Sequence, residues 1–333
     1  MTNNICLDLP ITLPPYTTFS YLYGAGIPAM QNPDAKNWYF NHTVNLYCKI
    51  RSTKVHLNCD VYLDTGDFWN MSFLEKSVTN TRFLGNCIEP IIREMLLHGY
   101  YILFSGVDDF YIPGKASYQK LHLDLGGLIV GMDDNNESYH IMTDTANRRL
   151  DKIVVPKTAF QQALEYMIQN KQYGTLCALK TKAEEITLNL PEIEKNIIEY
   201  LNPVQTISED HRVVYSGLEV YDALLLLFDA LLDGTTGNDG CAFHSLWEHK
   251  KCMQKRMTAI EEILNLDHES SCTYGKVVTS AHHLYQQYNG TESTYQQNTI
   301  NEAKIILKQM KEAENKILSN FLKKTRKASK KPY

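Results

Sequence analysis

"HLDLGGLIVGMDDNNESYHIMTD", residues 122–144, is the stretch on which the fold turns. Two apolar runs flank a cluster of Asp and Asn, side chains that bond their own backbone and interrupt strands. The pattern predicts an antiparallel hairpin with its turn at about 133–137. Pairing across that turn would set His122, near the start of the first strand, beside Asp144 at the end of the second. An imidazole oriented by a carboxylate is half of a general-base apparatus; the other half is a nucleophile from a distant part of the chain.

Beyond this hairpin, "TVNLYCKI" (43–50), "KVHLNCDVYL" (54–63) and "GYYILFSGV" (99–107) are further strand-like runs, rich in β-branched and aromatic residues. "CIEPIIREMLLHG" (87–99) is an amphipathic helix that Gly99 should terminate. After "KIVVPKTAF" the rhythm becomes helical, with 3.6-type spacing over 157–170, 190–201, 216–232, 242–265, 275–288 and 298–324. The expected organisation is an α+β domain over 1–155, an all-helical bundle over 156–325, and a solvated basic tail over 326–333.

Composition narrows the function classes. The 333 residues carry a net charge of −5, which argues against a nucleic-acid binder built on phosphate contacts. Eight cysteines are scattered with no CxxC pair, so neither a zinc ribbon nor a thioredoxin-type site is expected. The start "MTNNICLDLP" has no signal-peptide pattern, and "VYDALLLLFDALL" (220–232) is short and interrupted by Asp222 and Asp229. A cytoplasmic chain with reduced thiols and no membrane span is the expectation. "HSLWEH" places His244 and Glu248 four apart on one helix face, but two ligands make no metal site, and a solvated face is the simpler reading. No metal, nucleotide or other cofactor is expected.

"YLYGAGIPAMQ" (21–31) offers the missing partner's place without its atom. Glycines on both sides of Ala25, Gly24 and Gly26, permit a sharp turn and the close approach of an acyl group. A cysteine at position 25, at the mouth of a helix, would have its thiolate favoured by the helix N-terminus and by a nearby imidazole. Ala25 has no nucleophilic atom. The expected catalytic set is therefore Ala25 as the nucleophile position, His122 as the base and Asp144 as its orienting partner. Tyr16, Tyr21, Tyr23, Tyr111 and Tyr118 flank it in sequence and could wall an acyl tunnel. Asp108 and Asp109 could receive a cationic amine.

The segment "VDDFYIPGKASYQKLHLDLGGLIVGMDDNNESYHIMTD", followed by "VPKTAFQQALEYM", resembles the papain-like domain of the butirosin-biosynthesis-protein-H group. The amide-forming cysteine-protease homologues of the closthioamide type are similar in kind. The likeness covers roughly residues 10–170. It implies a papain-like fold and an acyltransferase that takes an acyl chain from an acyl carrier protein thioester, holds it on cysteine and passes it to an amine or diamine. The chain departs from the family pattern at Ala25 and at Leu125, where that pattern has a histidine. On this reading the chain is an inactive Cys-to-Ala form of an amide-forming enzyme of thiotemplated natural-product biosynthesis. The helical half would serve as lid, acyl tunnel and docking surface, with Arg148, Arg149 and Lys152 meeting the acidic carrier. The alternatives are a cysteine peptidase or amide hydrolase, and a catalytically dead binding homologue that is natively alanine at 25.

Overall fold

The structure is a computed structural model and describes residues 4–52, 57–63, 71–84, 87–147, 149–204, 206–207, 213–237, 240–289 and 296–329. Arg148 and residues 330–333 of the expected tail lie outside these. In chain order the elements are β1 (Cys6–Asp8), α1 (Ser20–Ala29), α2 (Ala35–His42), β2 (Leu46–Ser52), β3 (Leu57–Leu63), β4 (Leu74–Asn80), α3 (Ile88–Leu97), β5 (Tyr101–Asp108), β6 (Asp124–Asp133), β7 (Ser138–Asp144), β8 (Leu150–Pro156), α4 (Lys157–Gln169) and β9 (Thr175–Thr181). They continue as α5 (Leu190–Leu201), β10 (Thr206–Ile207), β11 (Val213–Ser216), α6 (Val220–Leu232), α7 (Cys241–Ile263), α8 (Glu269–Tyr288) and α9 (Gln297–Ser329). The chain is mixed α and β with antiparallel sheets and C-terminal helices.

It divides into two compact units: Met1–Ala35 with Trp69–Glu185, and Lys36–Phe68 with Ile186–Tyr333. The boundary expected near 155 falls inside β8, and β8, α4 and β9 all belong to the first unit. The second unit is not all-helical, because β10, β11, β2 and β3 form a sheet in it. The basic stretch expected as a tail from 326 continues α9 as far as Ser329. Among the described residues, no helix is long and apolar enough to cross a membrane.

The first unit is built on an antiparallel sheet of order β4-β9-β5-β6-β7-β8, with β1 added against β6. The predicted hairpin is present: β6 pairs β7, Asp133 opposite Ser138, around the Asp/Asn turn. Gly99 adopts φ +79° just past α3, the left-handed geometry for which glycine is suited. Ile102 and Phe104 of β5 pack with Ile92 and Leu96 of α3 and with Phe160, Ala163 and Leu164 of α4. Leu103, between them, instead presses on α1, where a Cβ on Gly24 would lie 2.4 Å from Leu103 Cδ1. Successive strand residues point to opposite faces, so α1 covers one face of this sheet and α3 and α4 the other. That division governs which site residues can meet.

In the second unit, α5 to α9 pack together, with α6 and α7 also against β3. Asn189 caps α5 by accepting the Glu192 N–H at 3.2 Å. The fully buried Arg256 of α7 donates to the Phe40 and Tyr39 carbonyls of α2 and so ties that early helix to the later bundle.

Candidate functional site

The expected triad of Ala25, His122 and Asp144 is not assembled. Ala25 is the sixth residue of α1, not its first, and is wholly buried. No reactant reaches its Cβ, and the N–H groups of the helix start lie more than a turn away. The physical reason is that Phe19 caps the helix in an extended conformation, so α1 begins earlier than the glycines suggest. Gly24 and Gly26 are then helix-interior residues, with Gly24 small so that Leu103 can approach.

His122 also lies elsewhere. The hairpin pairing runs as far as Leu128 with Met142, and two residues further along Asp144 aligns with Gly126, not with His122. Asp144 instead sits across from Leu150 of β8 and, with burial, helps push the Tyr23 phenol up. The carboxylate that orients His122 is Asp108, assigned to the amine from sequence: His122 Nδ1 lies 2.5 Å from Asp108 Oδ2.

Asp108 ends β5, opposite Asp124 at the start of β6. Its Oδ1 accepts the backbone N–H of Phe110 at 3.0 Å and of Leu123 at 3.2 Å, which fixes the carboxylate at the neck of the 109–123 loop. With Oδ2 on Nδ1, the imidazole is set as an Nδ1–H donor, leaving Nε2 as an acceptor. The ring is clamped between Phe110 and Tyr166, with centroids 4.4 Å away on each side at 17° and 10°. The His122 side chain keeps 46% exposure while that of Asp108 keeps 1%. A buried carboxylate thus holds an accessible base, and both ring faces are covered so that only the edge reacts.

The loop below is braced by a second carboxylate. Asp109 is buried and lies 3.2 Å from Lys115 Nζ, which also donates to Thr143 Oγ1 at 2.8 Å. Burial is the main cause that lifts the Asp109 carboxyl to about 6, against the opposing pull of Lys115. Asp109 is therefore a buttress and not an open amine site.

The tyrosines separate. Tyr16 and Tyr23 are buried in packing. Tyr21 stacks on Phe19 at 5.6 Å, and burial pushes its phenol up to about 12. Tyr118 accepts from Gln119 Nε2 at 3.2 Å. Only Tyr111 joins the base, 6.3 Å from the His122 ring and 5.8 Å from Tyr166. Lys152, expected in a basic patch, is paired with Asp8 at 3.0 Å.

The true start of α1 is Ser20, and it faces Gly126: a Cβ there would lie 3.3 Å from Ser20 Oγ and 2.7 Å from the Phe104 carbonyl oxygen. Position 126 is too close to backbone to carry a side chain, so no imidazole can serve Ser20 from it. Sequence reading missed Phe110 and Tyr166 as the clamp and Lys115 as the brace. The Asp-x-Phe turn after β5 was the one signal available for Asp108. His244 and Glu248 do meet, at 3.3 Å, but Glu248 is buried, so that helix face is not solvated. Among the described residues, no three His, Cys, Asp or Glu side chains converge as a metal site.

In comparisons with known proteins, no family model matches the chain and no curated protein matches it.

Proposed function

We propose that the chain is a papain-like relative of the butirosin-biosynthesis-protein-H group that makes amides from acyl carrier protein thioesters by direct transfer, with no covalent acyl-enzyme. The observation that carries this reading is the His122–Asp108 pair: an accessible imidazole edge, one nitrogen fixed by a buried carboxylate and both faces clamped. The helix α1 against an antiparallel sheet supports the papain-like assignment. The sealed Ala25, and a glycine in place of any side chain at position 126 facing Ser20, argue for a single displacement over a cysteine-type relay.

In the proposed step, a neutral amine held at the imidazole edge attacks the thioester carbonyl. The new C–N bond places a positive charge on nitrogen, and His122 Nε2 takes that proton. The tetrahedral adduct collapses, the C–S bond breaks, and the carrier thiolate recovers the proton from the imidazolium. Asp108 stabilises the transient imidazolium and holds the ring's orientation. The thioester supplies the activation.

The test is incubation with an acyl-pantetheine thioester, with and without a diamine, followed by both product analysis and intact protein mass. Amide formation that is lost in His122→Gln, with no mass adduct at any time, is the expected outcome. An acyl adduct on the protein would overturn direct transfer. A folded protein that binds the thioester but forms neither amide nor acid would leave the binding-homologue reading in its place.

A further inference from the structure

Residues of α4, the start of α3 and the β6–β7 turn, none of them in the His122 clamp, line a cavity of about 550 Å³, a volume within the range of small-molecule sites. Its floor is apolar, formed by Ile88, Phe160, Leu164 and Ile168. Its walls carry four carboxylates, Glu89, Asp134, Glu137 and Glu165, against one cation, Lys157. Lys157 is already engaged: its Nζ lies 2.9 Å from Asp134 and 3.2 Å from Glu89, and those bonds hold its ammonium above the usual lysine range despite partial burial. Asp134 is further matched by Arg93 at 3.1 Å, so two cations answer Asp134 and Glu89. Glu137 and Glu165 remain at the exposed rim, where Glu165 accepts only the neutral Gln161 amide at 2.8 Å. Among the described residues, neither has an ion-pair partner.

We infer that this cavity binds a small amphiphilic cation, a primary ammonium on an alkyl or aryl tail. The tail enters over Phe160, Leu164 and Ile168, and the ammonium meets Glu137 and Glu165 at the rim. An anion would face two uncompensated carboxylates while the one wall cation is already paired. A neutral chain of the same length would gain only the apolar contact. The inference stands on the cavity alone and does not depend on acyl transfer at His122.

The test is direct binding to the full chain, by calorimetry or ligand-observed NMR, with hexylammonium, hexanol and hexanoate as probes. Hexylammonium should bind at least about fivefold more tightly than hexanol, the scale of one or two exposed ion pairs, and hexanoate most weakly. The preference should shrink as salt rises from about 20 to about 200 mM. The rim double substitution Glu137→Gln with Glu165→Gln, both at exposed positions, should abolish the preference while leaving hexanol binding unchanged. Equal binding of ammonium and alcohol, no saturable binding of any probe, or a preference that survives the double substitution would each overturn the assignment.

Discussion

Two polar clusters, one in each unit, use the same ingredients to opposite ends. In the helical unit, Lys250 of α7 and Glu314 of α9 lie 2.8 Å apart at zero exposure. The phenols of Tyr200, Tyr221 and Tyr274 all donate to Glu314, and Lys250 also donates to Tyr200. Burial and the Glu314 charge hold all three phenols well above their ordinary range, while burial draws the Lys250 ammonium down. In the sheet unit, Asp108 is as deeply buried as Glu314, but its partner stands at the surface with one ring nitrogen turned outward. A sealed cluster with its valences filled has no place for a reactant and specifies packing. An open one, with a buried orienting group and an exposed edge, leaves room for a proton to be exchanged, as the proposed transfer requires.

That contrast can be broken by substitution. The largest expected effect is on the proposed transfer in His122→Gln: a loss of about a hundred- to ten-thousandfold, the usual contribution of a general base, with unfolding free energy within about 1 kcal/mol of the parent. An equal loss of stability would make His122 a packing residue like those around Glu314. Lys250→Met should do the reverse. Stranding Glu314 without its cation costs about 3–5 kcal/mol by denaturant titration, while turnover per folded molecule stays unchanged. Adding Glu314→Leu to Lys250→Met should not recover that loss, since the buried phenols of Tyr200, Tyr221 and Tyr274 would then lose their common acceptor, at about 1–3 kcal/mol each.

A smaller effect separates brace from base. Asp109 binds its proton at about 6 in the folded chain, against 3.8 as the ordinary value. The folded state therefore holds more protons than the unfolded state between those values, and Asp109 adds stability as pH falls through that window. The stability difference between the parent and Asp109→Asn should grow in the parent's favour from about pH 6 to about pH 4, and a flat difference would show that Lys115 sets the titration instead. The smallest effect is expected from Ala25→Cys: a thiol sealed inside α1 should stay unmodified by acyl-pantetheine and by alkylating reagents in the folded protein. Rapid modification at position 25 would restore the cysteine reading.

What the sequence made legible was local. The hairpin at 122–144, the α3 stop at Gly99 and the span of α5 follow from turn chemistry, a left-handed glycine and a capping Asn, each decided within a few residues. The site was not local in that sense. His122 and Asp144 are near each other along a hairpin only if the register is right, and a shift of four residues passes the partnership to Asp108. That choice is made by the pairing of Asp108 with Asp124 across β5 and β6, which no periodicity in either strand reveals. The start of α1 was misplaced because Gly24, Gly26 and Pro28 have poor helix propensity, overridden here by close packing under Leu103. The exposed, charged β4 has no apolar alternation to mark it as a strand.

The position of β9 has a consequence for how the chain is made. It lies between β4 and β5, so the last strand of the sheet unit to leave the ribosome fills a slot among earlier ones. Until Thr181 emerges, β4 has no neighbour and β5 has only β6, each with a row of unpaired backbone groups. Closing that gap joins β4 to β9 across everything from Thr81 to Gly174, so this long-range pairing follows the local pairing of β5 to β8 between them. The sheet unit should therefore be the slow-folding part, and the interval before β9 docks is when a chaperone would matter most to the nascent chain.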